Sequence, residues 1–253
     1  MLTKVKSIIK KSLSLEGDTA REEVLKIGER WHYHTMKDNN NKIVWEGQYD
    51  LYPFWKYFGI PDDLSGQSVI DIGTATGFYA FECEKRGAMP VVATELNNIT
   101  DWDTKAGYDY NGVNMPKQNQ LDYQEMARLL NSKVKLHWGS INERLHETLG
   151  TFDLVIFGAL ITHLRDPMLA LENVRLLTKG CAVIIASYEP GEKHKVLHWA
   201  NSTRPFDWWI PSKSVIPDML YAAGFKRVEE ISDFVLQHRN GHKQYMACWH
   251  AYV

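Results

Sequence analysis

The stretch Ser68–Ala80, which reads Ser-Val-Ile-Asp-Ile-Gly-Thr-Ala-Thr-Gly-Phe-Tyr-Ala, limits what this chain can fold into more than any other. Val69 to Ile72 is short, apolar and β-branched, the pattern of a strand buried on both faces, and from Phe78 to Arg86 apolar residues recur at helical spacing. The two glycines therefore fall where a strand turns into a helix. Gly73 and Gly77 permit a tight turn there, and the unpaired N–H groups that open the helix give it a partly positive end suited to a ligand. A second short apolar strand, Val91 to Glu95, ends on an acid followed by Leu96.

Spacing narrows the ligand. A dinucleotide fingerprint needs glycines at its first, third and sixth positions, which here are Gly73, Ala75 and Phe78, so close approach of a pyrophosphate is not provided for. Glu95 is placed to accept both hydroxyls of a ribose, as acids at the second strand end do in nucleotide-binding α/β folds. Counted from the acid, Asp71-x-Gly73-x-Ala75-x-Gly77 resembles motif I of class I S-adenosylmethionine-dependent methyltransferases. Ala75 departs from the glycine usual there and is expected to keep a negative φ.

With 253 residues the chain has room for one α/β domain and an extension, and a net charge of −2 does not make duplex nucleic acid its default partner. No apolar run is long enough to cross a bilayer, and residues 1–15 lack a continuous signal-peptide core, so a cytoplasmic protein is expected. Cys83, Cys181 and Cys248 are odd in number, far apart and set in apolar sequence, which suits buried thiols better than a disulfide. His32 and His34 lack companion ligands, and no metal is assigned.

Along the chain, residues 1–15 read as an amphipathic helix with Val5, Ile8, Ile9 and Leu13 on one side and Lys4, Lys6, Lys10 and Lys11 largely on the other. Asp18 and Thr19 can cap a second helix through Glu29, Asn39 to Asn41 marks a turn, and Ile43 to Trp45 suits an edge strand. Tyr49 to Phe58 carries six aromatics in ten residues. This leading region, 1–62, is expected as a helical and aromatic cap that packs over the strand ends of a domain formed by 63–253. The polar run Asn97 to Gln120 reads as a long connector, Leu121 to Leu130 as a helix, Val134 to Trp138 as the third strand and Phe152 to Phe157 as the fourth. Asp166 and Pro167 open a helix through Leu177 that Gly180 is expected to end, and Cys181 to Ala186 follows as the fifth strand. After a connector bearing Trp199, Trp208 and Trp209 come a helix near 214–223 and two alternating strands, Lys226 to Phe234 and Gln244 to Ala251. Such β/α alternation predicts a doubly wound, Rossmann-like sheet with its ligand crevice at the carboxyl ends of the strands.

Three blocks resemble the tRNA wobble-uridine (mo5U34) methyltransferase and carboxymethyltransferase-like branch of that superfamily. They are Leu64 to Gly73, Phe152 to Pro167, and Pro211 to Ser214 with Ala223 to Phe225; the likeness spans about residues 60 to 250. It implies a seven-stranded methyltransferase sheet with a C-terminal antiparallel hairpin and S-adenosyl-L-methionine as cofactor. Thr162 stands where the carboxymethyl enzymes have a Tyr, and the late-chain Arg of those enzymes has no counterpart around Lys243 and Gln244, which favours the ordinary cofactor over its carboxylated form. The implied cofactor residues are Asp71, Gly73, Thr74, Ala75, Gly77, Tyr79, Glu95 and Leu96, with Ser140 and Ile141 at the adenine and Phe157 and Gly158 at the methionine end. His163 is the candidate base, since an imidazole titrates near neutral pH. Arg165 is a candidate for an anionic substrate group. Trp31, Tyr33, His34, Trp199, Trp208 and Trp209 are candidates to surround a substrate. The expected activity is methyl transfer to an O or N atom of a small molecule. Two alternatives are a tRNA-modifying enzyme, with a basic rim of the N-terminal lysines, Lys193, Lys195 and Arg204, and a non-catalytic cofactor-binding module.

Overall fold

The computed structural model describes residues 31–106, 115–200 and 206–253. The helices expected over 1–15 and 18–29, and Arg204, lie outside the described residues. His32–Val253 forms one compact unit.

In that unit seven strands make one sheet: β3 Val69–Ile72, β4 Val91–Glu95, β5 Lys135–Trp138, β6 Phe152–Gly158, β7 Thr178–Ser187, β10 Arg227–Gln237 and β11 Lys243–Tyr252, in the order β10-β11-β7-β6-β3-β4-β5. Strands β3 to β7 pair in parallel, and β11 enters antiparallel between β7 and β10. The expected doubly wound sheet with a terminal hairpin is thus present. Two small ribbons stand outside it: β1 Met36–Lys37 with β2 Ile43–Trp45, and β8 Leu197–Trp199 with β9 Trp209–Pro211.

The period-two alternation of strand side chains explains why both faces are covered. Val69 and Ile156 turn into one apolar cluster with Phe78 and Phe81 of the Phe78–Lys85 helix and Met126 of the Met115–Leu130 helix. Ile70, Ile72, Val155 and Phe157 turn into the other, against Leu171 and Val174 of the Pro167–Leu177 helix and Leu220 of the Val215–Ala222 helix. At the start of β3 and β6, Ser68 fixes the register: its Oγ donates to Asp153 Oδ2 at 2.7 Å and accepts from the Asp153 N–H at 3.0 Å.

Some expected boundaries move. The helix placed at Leu121 already includes Met115 among the described residues, with Asn119 and Asp122 on a buried polar face of it. Gly180 does not end the preceding helix. Thr178 already has extended dihedrals, β7 starts there, and Gly180 lies inside the strand, where a Cβ would come within 2.6 Å of the Asp153 carbonyl oxygen. The aromatic run becomes a 3-10 helix, Tyr52–Phe58, whose Trp55 and Phe58 join the first cluster.

The segment from His32 to Tyr49 is tied to itself by backbone bonds, with Gln48 N donating to His32 O at 2.8 Å and Thr35 N to Tyr49 O at 2.8 Å. Gly47 makes this possible, since a Cβ there would overlap the backbone of His34 and Thr35. A Gly47→Ala substitution should therefore destabilise the fold by about 2 kcal/mol, an overpacking cost against backbone that cannot yield. The denaturant midpoint of the variant measures this; an unchanged midpoint would contradict the close approach.

Candidate active site

The turn after β3 is organised by a carboxyl group that is 1% exposed. Asp71 Oδ2 accepts from Thr74 Oγ1 at 2.6 Å and from Ala80 N at 3.2 Å, so it satisfies one of the open N–H groups of the following helix from within the core. Burial pushes its pKa up to about 7 against those two hydrogen bonds. Gly73 takes φ +68°, and a Cβ on it would press on Leu160. Ala75, expected at negative φ, lies at +50°, a left-handed conformation that costs an L-residue roughly 1–2 kcal/mol. The bond from its N–H to Glu95 Oε2, 2.8 Å long, helps hold it there.

Glu95 thus binds the loop before it binds any ligand. Its other oxygen accepts from Leu96 N at 2.9 Å, and burial raises its pKa against both bonds. Each carboxylate oxygen still has accepting capacity, enough for a pair of ribose hydroxyls.

A cavity of about 690 Å³ opens over these strand ends, a size ordinary for small-molecule sites. It is lined by Asp71, Gly73, Thr74, Ala75, Tyr79, Glu95, Leu96, Ser140, Ile141, Gly158, His163, Tyr33 and His34 among the expected residues. At the β4–β5 side it also takes in Trp102, Asn119 and Asn142, which the sequence reading missed. Trp102 Nε1, Asn119 Oδ1 and Asn142 Oδ1 are buried with no hydrogen-bond partner. Buried polar atoms are seldom left so, and these three belong to residues that border the same side of the cavity.

Over the loop lies the segment carrying Tyr33 and His34. His34 Nδ1 is 2.8 Å from Thr76 Oγ1, and burial drives its pKa down to about 3, so the ring stays neutral near pH 7. The Tyr33 and Tyr49 rings meet with centroids 4.8 Å apart, and burial keeps the Tyr33 hydroxyl protonated. His32, on the same segment, is held by Asp122 at 2.8 Å and stacks on Trp45.

His163 ends a short turn, Ile161–His163, beyond β6, with 44% of its side chain exposed. Its Nδ1 lies 3.0 Å from both the Phe206 carbonyl and the Asp207 carboxylate. Two acceptors on that nitrogen put a proton on Nδ1 and leave the Nε2 lone pair as the basic site of the neutral ring.

Other expected residues fall elsewhere. Phe157 is fully buried in the second cluster, because alternation along β6 turns it away from the cavity while Gly158 reaches it. Gly77 serves as the helix N-cap at φ +90° and does not line the cavity. Trp199, Trp208 and Trp209 form an edge-to-face cluster outside it, with Trp199 58% exposed. Trp208 Nε1 donates to the Asp103 carbonyl at 2.6 Å, and Arg165 lies over the Trp208 ring, so this group braces one connector against another. Trp31 lies outside the His32–Val253 unit and is exposed.

The raised pKa of Asp71 has a calculable effect on stability. Below about pH 4 the carboxyl is protonated in folded and unfolded chains alike; above it the unfolded chain ionises first, so this group erodes stability as pH rises to about 7. Asp71→Asn removes that erosion. Urea titrations should show the stability difference moving in favour of the variant by about 1.4 kcal/mol per pH unit across that window and then levelling. A difference independent of pH would mean that the carboxyl is ionised throughout.

No protein-family model matches this chain, and no curated protein matches it in sequence. Solved structures do. The N-terminal domain of EvdMO1, crystallised in the presence of SAH and D-fucose, is 13% identical with a TM-score of 0.59, covering 89% of this chain and 92% of that one. The 1,6-didemethyltoxoflavin-N1-methyltransferase of Burkholderia thailandensis is 14% identical with a TM-score of 0.52, covering 75% and 72%. An S-adenosylmethionine-dependent methyltransferase described as putative, from Listeria monocytogenes, is 10% identical with a TM-score of 0.54, covering 80% and 97%. The chain thus shares the fold of S-adenosylmethionine-dependent methyltransferases.

Proposed function

We propose that this chain is an S-adenosylmethionine-dependent methyltransferase that acts on an O or N atom of a small molecule. One observation carries the reading. A single cavity joins a ribose-competent acid, Glu95, to Trp102, Asn119 and Asn142 on the β5 side and to the left-handed turn Gly73–Ala75 on the other. In this reading Glu95 holds the ribose, and Leu96, Ser140 and Ile141 surround the adenine with Trp102, Asn119 and Asn142. Asp71, Thr74, Tyr79 and Gly158 border the methionine end. The cofactor, when bound, supplies a methyl carbon on a sulfonium.

The chain's own duties are alignment, exclusion of water and removal of a proton from a protonated nucleophile. Tyr33 and His34 cover the loop, and His163 takes the acceptor's proton at Nε2, with Asp207 and the Phe206 carbonyl setting its tautomer. One neighbour was crystallised in the presence of SAH and D-fucose and another with 1,6-didemethyltoxoflavin and S-adenosylhomocysteine bound, which accords with a small acceptor. A tRNA substrate calls for a free basic rim, and Lys195 is instead engaged by Asp218 at 2.7 Å.

Calorimetry tests the cofactor assignment directly. S-adenosylmethionine and S-adenosylhomocysteine should bind and NADH should not, and Glu95→Ala should weaken both ligands by about tenfold or more, the loss of a charge-assisted hydrogen-bonded pair. Heat with NADH alone would refute the reading. For a hydroxyl acceptor, His163→Asn should lower kcat by about 10²–10⁴ with cofactor affinity unchanged. An unchanged kcat would remove His163 from the chemistry.

A further inference from the structure

We infer that the methyl acceptor binds at the β10–β11 end of the cavity, against Tyr49, Phe234, His238, His242 and Gln244, and that this subsite takes an uncharged ring compound and turns away its anionic counterpart. The location rests on the cofactor reading above. With strands about 4.8 Å apart, β5 lies about 10 Å to one side of β3 and β10 about 19 Å to the other. A nucleoside held at Glu95 fills the shorter side. The cavity nonetheless continues across β7 to the hairpin, where Ile185, Phe234, Leu236, His238, His242, Gln244 and Met246 all line it. That remainder needs an occupant.

The walls of this end are rings set at fixed angles. Tyr49 meets His238 edge-on with centroids 4.5 Å apart, and His238 meets His242 at 4.8 Å. Phe234 is buried, stacked with Tyr57 and tilted against Phe54. His238 is held on both nitrogens: Gln48 Nε2 donates to Nδ1 at 3.5 Å, and Nε2 donates to Gln244 Oε1 at 3.2 Å. Burial lowers its pKa, with His242 nearby pushing the same way and Gln244 opposing, so the imidazole is a neutral wall. Apolar ring faces with a few fixed polar atoms suit a ring-shaped guest that carries hydrogen-bonding groups.

Charge sets the selectivity. Glu95, Asp101, Asp103 and Asp207 line the cavity, and no lysine or arginine does so among the described residues. Asp207 acts across the opening, since its charge adds to burial in raising the Tyr49 pKa. The hairpin's own Arg239 is paired with Glu46 and lines a separate indentation. An anionic guest would lose its hydration with no lysine or arginine among the described lining residues to compensate it.

Benzamide and benzoate are near-isosteric rings that differ in charge at neutral pH, and both can be titrated by NMR into protein saturated with S-adenosylhomocysteine. Benzamide should bind and shift the His238 ring resonances, with benzoate at least about tenfold weaker. His238→Ala and Gln244→Leu, both on the half-exposed rim of the hairpin, should each weaken benzamide several-fold while the affinity for S-adenosylhomocysteine stays within about twofold. Equal or tighter binding of benzoate overturns the inference, as does binding of neither probe, or benzamide shifts confined to the Trp199 and Trp209 indoles. Failure of S-adenosylhomocysteine to bind would instead strike the cofactor reading. The two probes titrated into ligand-free protein then test the subsite alone, by the same charge discrimination and the same His238→Ala loss.

Discussion

The site hangs on a carboxyl group that the protein buries at a cost. Asp71 joins the end of β3 to the turn through Thr74 and to the next helix through Ala80, so three elements meet at one oxygen atom. An apolar residue there would pack more cheaply but would leave the Ala80 N–H and the Thr74 hydroxyl unsatisfied in the core. The carboxyl fixes the turn's geometry, and its energetic penalty is the tendency to remain protonated near neutral pH.

Glu95 repeats the device one strand over. By accepting from Ala75 it clamps the turn from the outside, and together the two acids hold an alanine in a conformation that glycine would adopt freely. The cover above is equally determined. Gly47 allows two backbone segments to touch, Trp45 Nε1 donates to the His34 carbonyl at 3.0 Å, and His34 is thereby set over Thr76. A preorganised turn under a fixed cover means that the residues nearest a ligand need little rearrangement to receive one.

Much of this was legible in the sequence because it is local. The strand, turn and helix from Val69 to Lys85, the acid at 95 and the glycine at 158 sit at fixed offsets from apolar runs whose period reveals the element. Trp102, Asn119, Asn142 and Tyr49 were not legible, because they come from four separate segments and meet only when the sheet is assembled. Aromatic content misled in the other direction. A tryptophan that braces two connectors and one that walls a cavity look alike in sequence, and Trp199, Trp208 and Trp209 prove to be braces. Phe157 was placed in the site by likeness, whereas the strand's alternation assigns it to the core and Gly158 to the opening. The positive φ of Ala75 follows from a bond to a side chain twenty positions away, which no local pattern encodes.

The insertion of β11 between β7 and β10 orders the assembly of the sheet in time. As the polypeptide is made from its amino end, β7 is left with a bare edge and β10 with no neighbour until residues 243–252 emerge. The parallel half, which carries Asp71 and Glu95, can close earlier. One rim of the opening is thus finished well before the other, and during that interval the unpaired amides of β7 are the surface most open to pairing with a foreign strand.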